Sequence, residues 1–262
     1  MKRIIGIAMV LGLVGTETVM AQEVKPGKVE VVDLEKGVNL DLVLIPAGKF
    51  KMGANPPGPF SNERPPTNEL PQHEVTLTKP FYMGKYEVTQ EQWFEIMGNN
   101  PSGYKGRKLP VTNVSWEDCQ EFIKKLNTKT NGGYRLPTEA EWEYGCRAGT
   151  TTAYSFGAKI TPKDANVGGV GLNYKAVGSY KPNAFGLYDM HGSVMEWCED
   201  WYGNYLADAV TDPKGPATGE KRVMRGGCSG NVVEFTRSSD RQYRSSPNNR
   251  SGVCGFRLVR TP

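Results

Sequence analysis

The run of residues 182–203 interleaves aromatic side chains with acids, a combination that can support chemistry. Its notable side chains are Trp197, Trp201, His191, Glu196, Glu199 and Asp200. Such interleaving fits neither a simple amphipathic helix nor a plain core strand. In one interpretation the acids bind a cation, cap a turn or pair with arginine while the aromatic residues enter a core. The alternative is a structural knot of buried aromatic residues whose acids are all hydrogen-bonded.

Several arginines follow this run and offer partners for its acids: Arg237, Arg241, Arg244, Arg250 and Arg257. Guanidinium groups pair with buried carboxylates, such as those of Glu196 or Asp200, and they also recognise carboxylate or sulfate groups of a ligand. The plainer interpretation is internal ion pairing that holds a loop-rich fold together.

The two histidines of the chain, His73 and His191, form with Glu196 the residue set of a two-histidine, one-carboxylate iron site. The more ordinary interpretation is that both rings lie at the surface or are hydrogen-bonded inside the fold. Residue types alone do not bring these three side chains together, so the ordinary interpretation is favoured.

The elements that must position these residues are short. The chain is rich in glycine and proline, with 31 and 18 in 262 residues, which favours turns over long helices. Capping boxes begin predicted helices at Thr89 and Thr138, and Ser115 is expected to cap a helix from Trp116 to about Leu126. Residues 42–53 read as a β-hairpin with a Pro-Ala-Gly turn. The coarse prediction is one α+β domain.

The N-terminal residues have the pattern of a targeting segment. Lys2 and Arg3 precede an apolar stretch of secretory length, and Ala21 offers a cleavage point, so residues 1–21 are predicted to be a signal peptide. Residues 22–40 are expected to form a leader or edge strand, followed by a domain over 41–262. These features predict a periplasmic or secreted protein without a membrane span. The formal net charge of +4 is too small to indicate a nucleic-acid partner.

Eight phrases of this sequence, in order, resemble the formylglycine-generating enzyme family, also called sulfatase-modifying factors. They are Ile45–Gly53, Tyr86–Thr89, Pro110–Trp116, Tyr134–Tyr144, Asn183–Tyr188, Glu196–Trp197, Arg222–Gly227 and Gly255–Val259. The resemblance implies an irregular, loop-rich α+β fold related to C-type lectins, with short helices around small sheets and often with bound calcium.

The resemblance also implies a copper-dependent oxidase that converts a substrate cysteine to formylglycine, with copper held by two cysteines. Here Asn231 stands at the first of those positions and Thr236, or a deletion, at the second. An amide and a hydroxyl are hard donors, whereas Cu(I) prefers thiolates, so copper is not expected. Cys228 stands where the family has serine, and Cys198 directly follows the Glu196–Trp197 phrase. They would form a rearranged copper pair, a disulfide or two unrelated thiols.

Family patterns bear on the remaining sites as well. They imply a disulfide between Cys119 and Cys254, and they leave Cys146 without its usual partner because serine stands near residue 238. The family's calcium sites map onto Asn166 and Val167 and onto Ser193 and Glu196, whose oxygens suit calcium. We assign the implied substrate groove to the residues Trp197, Trp201, Arg225 and Arg241.

Two functional hypotheses follow. The first is an exported family member that has lost the copper pair and serves as a binding or structural module for a protein, peptide or glycan ligand. The second is an oxidoreductase of this family with altered chemistry, which would use the surface near Trp197, Cys198, Cys228 and Asn231. The missing cysteines favour the first hypothesis.

Overall fold

The structure is a computed structural model, which describes residues 27–54, 66–169 and 171–261. The predicted signal peptide, residues 1–21, therefore lies outside the described residues. Within these ranges the α-helices are α1 (Gln90–Met97), α2 (Trp116–Lys129) and α3 (Glu139–Arg147). The strands are β1 (Val29–Asp33), β2 (Asn39–Ile45), β3 (Gly48–Met52), β4 (His73–Leu77), β5 (Phe81–Gly84), β6 (Tyr134–Arg135), β7 (Met195–Trp201), β8 (Val210–Thr211), β9 (Arg222–Arg225), β10 (Arg244–Ser245), β11 (Cys254–Gly255) and β12 (Val259–Arg260).

The strands form three small sheets, and long loops connect them. One sheet has the order β1-β2-β5-β12-β6, the second β10-β9-β7-β11, and the third β3-β4-β8. The first sheet brings sequence-distant strands together, because Val259 of β12 pairs with Met83 of β5 and with Arg135 of β6. The α+β, loop-rich fold with short helices expected from the sequence is confirmed.

The predicted leader contributes an edge strand to the first sheet. Within residues 22–40, Val29–Asp33 pair antiparallel with β2. Glu30 of this strand also accepts hydrogen bonds from both terminal nitrogens of Arg260, each 2.7 Å long. The two ends of the described chain are thus joined by a bidentate ion pair.

The hairpin predicted over residues 42–53 is wrong. β2 pairs with β1 and β5 in the first sheet, whereas β3 pairs with β4 in the third. The segment Pro46–Ala47 therefore directs the chain from one sheet into another instead of reversing it within a ladder. Proline has no backbone N–H for a ladder, and this is consistent with a strand break at Pro46.

All three helices begin at the residues that the sequence predicts. Thr89, Ser115 and Thr138 each accept a hydrogen bond from the backbone N–H of the third helical residue. In each case the side chain of that third residue accepts a hydrogen bond from the backbone N–H of the cap, which completes a capping box. These bonds fix the first turn of every helix by local chemistry alone.

The interior is divided into two main hydrophobic clusters. The first core cluster contains Trp93, Phe122 and Phe256, whose rings stack or meet edge to face, and it includes Trp197. The second core cluster lies around Trp142, on the inner side of α3. Among the described helices, none has the length and apolar character needed to cross a bilayer.

Candidate functional site

Glu196, at the centre of the aromatic and acidic run, is a buried ion-pair partner. Its carboxylate accepts hydrogen bonds from Nε and Nη2 of Arg257, both 2.6 Å long, and from Nε1 of Trp142 at 2.7 Å. Both charged side chains are at most 1% exposed. Of the roles open to this acid from sequence, pairing with arginine is the one that the structure contains.

Two other arginines of the tail are turned inward. Arg237 binds Glu69 with two hydrogen bonds, and Arg241 binds Glu139 with two more. Arg244 and Arg250 are exposed: Arg250 pairs with Asp118 at the start of α2, and Arg244 donates to the carbonyl of Gln242. The internal ion-pair interpretation is therefore confirmed for most of the segment.

The two implied calcium sites, one at Asn166 and Val167 and the other at Ser193 and Glu196, adjoin each other. Asn166 and Ser193 meet, because the Ser193 N–H donates to the carbonyl of Asn166 at 3.0 Å. Both carboxylate oxygens of Glu196 are occupied by Arg257, which does not suit a calcium ligand. The side-chain oxygen of Asn166 and the carbonyl of Val167 accept no hydrogen bond from the described residues and remain suitable donors.

The described residues hold no group of three or more histidine, cysteine or acidic side chains arranged to bind a metal ion. The two histidines lie apart and serve as hydrogen-bonding groups. His191 is 2% exposed, and its Nδ1 lies 2.8 Å from the carbonyl of Thr236 while Nε2 lies 2.9 Å from the hydroxyl of Ser155. Burial lowers the pKa of His191 to about 4. The ring is therefore neutral at physiological pH.

The residues that stand at the family's copper positions are engaged in local structure. Asn231 Oδ1 accepts the backbone N–H of Cys228 at 2.8 Å, and its Nδ2 donates to the hydroxyl of Tyr243 at 2.7 Å. Thr236 is fully buried and donates to the carbonyl of Val233 at 2.8 Å. This donor set of amide and hydroxyl, already hydrogen-bonded, does not fit Cu(I).

The two candidate cysteines of an altered active site belong to different parts of the interior. Cys198 lies in the second core cluster and Cys228 in the first. Burial raises the pKa of both thiols, and that of Cys198 is raised well above its usual range. Neither side chain is an exposed, ionised thiolate of the kind that reacts or binds a soft metal.

All five cysteines, each within the described ranges, are free and buried. The predicted disulfide between Cys119 and Cys254 is not formed in this structure, where both thiols are free and the sulfur of Cys254 lies 3.5 Å from the sulfur of Met224. Cys146 has the neighbour expected from the sequence, since its sulfur lies 3.6 Å from the hydroxyl of Ser238. Burial raises the pKa of Cys146 and of Cys254 to about 12.

The predicted substrate groove needs correction for two of its four residues. Trp197 and Arg225 are fully buried, and neither borders the cavity that the other two residues line. The Trp197 ring nitrogen donates to the carbonyl of Val114 at 3.0 Å. Arg225 binds Glu143 and three backbone carbonyls of residues 238–240. These polar groups bind loop carbonyls and a buried acid, so they are not available to a substrate.

Trp201 and Arg241 do line an open cavity, of about 560 Å³. The cavity lies between the end of β7 and the segment 203–216, and its wall includes Asp200, which is 4% exposed. One oxygen of Asp200 accepts the backbone N–H of Glu139 at 2.8 Å. Burial, followed by the charge of Glu139, raises the pKa of Asp200 to about 8.

A second surface surrounds Asn231 and carries exposed aromatic and apolar side chains. Tyr104 is 63% exposed and stacks on Tyr174 with ring centroids 5.8 Å apart, and Leu172 is 49% exposed beside them. We call Tyr104, Leu172 and Tyr174 the aromatic face. Backbone hydrogen bonds from Gly168 to Asn231 and from Gly169 to Ser229 attach this loop to the copper-position segment.

Sequence reasoning missed both the aromatic face and the acids that neutralise the arginines, Glu69, Glu139 and Glu143. Each acid lies in a different segment from its partner, and Glu69 and Arg237 are 168 residues apart in sequence. Nothing in local spacing marks such a pair. An available signal was the acid-rich start of α3, since three glutamates in one short helix need cations if they are buried.

Known proteins are similar to this chain in sequence and in fold. The sequence profile described as "Sulfatase-modifying factor enzyme 1-like domain" matches residues 29–262. The chain is 33% identical to the serine/threonine-protein kinase pkn1 of Chlamydia pneumoniae over 84% of its own length, but it spans only 38% of that kinase. It is 30% identical to the formylglycine-generating enzyme of Streptomyces coelicolor, with 83% of this chain and 88% of the enzyme covered.

A solved structure shares the fold closely. Treponema denticola variable protein 1 superposes with a TM-score of 0.77 and 29% identity, over 89% of this chain and 99% of that protein.

Proposed function

The chain belongs to the sulfatase-modifying factor enzyme 1-like domain family, and we propose that within this family it is an exported binding module without copper-dependent oxidase activity. The observation that carries this proposal is the state of Asn231. Its amide, at the first copper position, bridges the N–H of Cys228 and the hydroxyl of Tyr243. A group that fixes a turn in this way is not a free ligand for a metal.

The thiols of the chain support the same proposal. Cu(I) binding and nucleophilic attack both require a thiolate, and burial raises the pKa of every cysteine of the chain above its usual range. Protonated, enclosed thiols do not replace the missing copper pair. The core chemistry of the oxidase therefore has no candidate residues here.

The aromatic face supports the binding role. Tyrosine offers a large, rigid surface with a polar end, and exposed aromatic residues of this kind dominate many recognition surfaces. Here Tyr174 is held in place because its hydroxyl donates to the carbonyl of Gly252 at 2.7 Å and its ring stacks on Tyr104. We propose that this face meets the ligand, which is a protein, peptide or glycan.

Export is part of the proposal, and it rests on the sequence of residues 1–21. The pair Lys2 and Arg3, the apolar stretch after them and Ala21 together match a cleavable secretory signal. The expected location is the periplasm or the exterior. Mass spectrometry of the mature N-terminus after expression in a secreting host tests this directly, and retention of residues 1–21 would overturn it.

The decisive experiment on chemistry is an aldehyde assay. Purified protein is incubated with copper, O2 and a sulfatase-type cysteine peptide, and aldehyde is detected by mass spectrometry, with a formylglycine-generating enzyme as the positive control. We expect no aldehyde above the protein-free reaction. Aldehyde formation would instead establish the second hypothesis, an oxidoreductase with altered chemistry.

The binding role is tested on a glycan array and a peptide library. Tyr174→Ala should abolish the signals of the unaltered chain. The matched control is Phe94→Ala, which removes an aromatic ring that is 56% exposed on helix α1. Binding that survives Tyr174→Ala would overturn the assignment of this face. Failure of the unaltered chain to bind any probe of the glycan array or the peptide library would overturn it as well.

A further inference from the structure

The cavity at the end of β7 has the features of a binding site separate from the aromatic face. It measures about 560 Å³, a size that suits a small organic molecule. Much of its wall is apolar, from Met52, Ala140, Leu206, Val210, Pro213 and Pro216. Only a few polar groups reach it, and these decide what chemistry it selects.

Asp200 is the first of these polar groups. It takes part in no ion pair with the described residues, although it is 4% exposed. Its Oδ2 accepts the N–H of Glu139, while its Oδ1 has no donor among the described residues. Gly215 closes the wall here, and an added Cβ at that glycine would lie 3.0 Å from Oδ1. The loop thus approaches the carboxyl group closely without supplying a hydrogen bond.

His73 is the second polar group. It is 6% exposed, and its Nδ1 lies 3.1 Å from the carbonyl of Pro71. A carbonyl only accepts hydrogen bonds, so Nδ1 carries the proton and the Nε2 of a neutral ring presents a lone pair. Nε2 has no partner in the described part of the chain. The wall therefore offers two unused acceptors from two different elements, β7 and β4.

Some of the charged side chains around the cavity are already paired, whereas, within the described ranges, Asp200 is not. Arg241 is already bound to Glu139 through two hydrogen bonds and to the carbonyls of Asn68 and Gly203. The negative charges of Glu139, Glu141 and Glu199 all act on Asp200. The charged and titratable groups around the cavity, by element, are Glu139 and Glu141 on α3, Glu199 on β7, Arg222 on β9, His73 on β4, Arg135 on β6, and Tyr205, Lys214 and Arg241 on loops.

We propose that this cavity binds a small organic ammonium ion, whose charged group is held by Asp200 Oδ1 and His73 Nε2. An ammonium group carries three N–H donors and a positive charge, which complements two unused acceptors, one of them a carboxylate without an ion-pair partner among the described residues. A carboxylate would be repelled by Asp200, and a neutral alcohol would leave the acid without a counter-ion. The carbon chain of the ligand packs on the apolar wall, as small-molecule sites commonly arrange.

The direct test is calorimetric titration with 1,5-diaminopentane at pH 8.5. We expect Asp200→Asn to weaken binding at least tenfold, because the amide keeps an oxygen for the Glu139 N–H but has no charge. Glu74→Gln is the matched control. It removes an acid of strand β4, next to His73, whose half-exposed side chain pairs with Lys49 and Lys51 outside this cavity, and it should leave affinity within about twofold.

The pH dependence gives a second readout. Because burial raises the pKa of Asp200 to about 8, the acid must lose a proton to hold the cation. We expect affinity at pH 6 to be on the order of fiftyfold lower than at pH 8.5 in the unaltered protein. That dependence should largely vanish in Asp200→Asn.

Two ligand sources share this chemistry, a free amine and a lysine side chain of a peptide. Titration with Nα-acetyl-lysine N-methylamide, whose side-chain ammonium is free, alongside 1,5-diaminopentane distinguishes them. Only one of the two should bind in the micromolar to low millimolar range: the diamine if the source is a free amine, and the lysine derivative if it is a peptide side chain. Pentanol is the neutral comparison. Equal binding of pentanol and the diamine, or binding unchanged by Asp200→Asn, would overturn the proposal.

A further variant keeps the test independent of folding at position 200. Leu206 lies at the rim and is 68% exposed, so Leu206→Trp should fold normally while its larger side chain obstructs the cavity. Loss of diamine binding in this variant supports the site. Full binding in Leu206→Trp would place the ligand elsewhere and overturn the assignment. Because the aldehyde assay and the Tyr174→Ala variant do not involve this cavity, the two proposals fail separately.

Discussion

The sulfur of Cys146, on helix α3, lies 3.6 Å from the hydroxyl oxygen of Ser238, although the two residues are 92 positions apart in sequence. Both side chains are fully buried. A serine oxygen in this place occupies nearly the position of a second sulfur. The two side chains thus face each other in the interior, as the two halves of a disulfide do.

Replacing Ser238 with cysteine should create a disulfide with Cys146. A bridge closing a loop of this length stabilises a protein by about 2–4 kcal/mol, because it restricts the unfolded chain. We expect the denaturation midpoint of Ser238→Cys to rise under oxidising conditions and to return to a lower value with reductant. Ser238→Ala serves as the control without a thiol. Peptide mapping that finds both thiols free after oxidation would contradict this expectation.

The buried pair of Glu196 and Arg257 should be essential for stability. Removing one partner of a buried ion pair leaves an uncompensated charge, which costs about 3–5 kcal/mol. Glu196→Gln should therefore lower the free energy of unfolding by that amount in urea titrations. Glu121→Gln, which breaks the exposed i,i+4 pair with Lys125, should change it by less than about 0.5 kcal/mol. Equal effects of the two variants would be inconsistent with the geometry.

His191 should make stability fall in mild acid. Its pKa is lowered to about 4 in the folded protein, so between that value and the ordinary value near 6.5 the unfolded chain binds a proton and the folded chain does not. Stability is therefore full above about pH 6.5 and is lost as pH falls toward 4, by about 3 kcal/mol.

Measuring unfolding of the unaltered chain and of His191→Gln from pH 4 to pH 8 isolates this contribution. Burial raises the pKa values of Asp200 and Asp240, whose linkage has the opposite sign, but these acids are common to both proteins and cancel in the difference. We expect the difference between the two proteins to change with pH in the window from 4 to 6.5. A difference that stays constant there would contradict the burial of a neutral ring.

The thiols should be inert in the native protein. All five are buried, and burial raises their pKa values, so thiol reagents find no exposed thiolate. We expect Ellman's reagent to label none of the five rapidly at pH 8 and all five in concentrated guanidinium chloride. Rapid labelling of Cys198 or Cys228 in the native state would reopen the possibility of thiol chemistry.

Calcium binding should depend on Asn166. We propose that its side-chain oxygen and the carbonyl of Val167 serve as ligands, since both are hydrogen-bond acceptors without a donor among the described residues. Calcium at a hundred times its dissociation constant should stabilise the protein by about 2.7 kcal/mol. Thermal melts after chelation and calcium addition measure this. The response should vanish in Asn166→Ala and persist in Asn249→Ala, an exposed control; a response unchanged in Asn166→Ala would exclude this site.

Local chemistry in the sequence predicted the starts of the helices but not the assignment of strands to sheets. The capping residues Thr89, Ser115 and Thr138 act within one turn, so four neighbouring residues contain the whole signal. The segment around Pro46 carries the same apolar alternation on both sides whether or not the two strands pair. Which sheet receives each strand depends on distant partners such as Phe81 and His73.

In the candidate site, too, the sequence predicted what local residues determine but not the partners that are distant in sequence. The sequence suggested that Glu196 pairs with an arginine, but it could not select Arg257, which is 61 residues away. The family resemblance also led to the assignment of Trp197 and Arg225 to a substrate groove. Their burial follows from long-range packing of β7 and β9, which no local pattern reports.

The bidentate contact between Glu30 and Arg260 brings the entry and exit of the described domain to one edge of the molecule. A unit with neighbouring termini can be spliced into a loop of a host protein, or cyclically rearranged, with short tethers and little distortion. This geometry suits a domain that is inserted as one unit into a longer protein. It is consistent with the finding that a comparable stretch makes up only 38% of the chlamydial kinase to which this chain is similar.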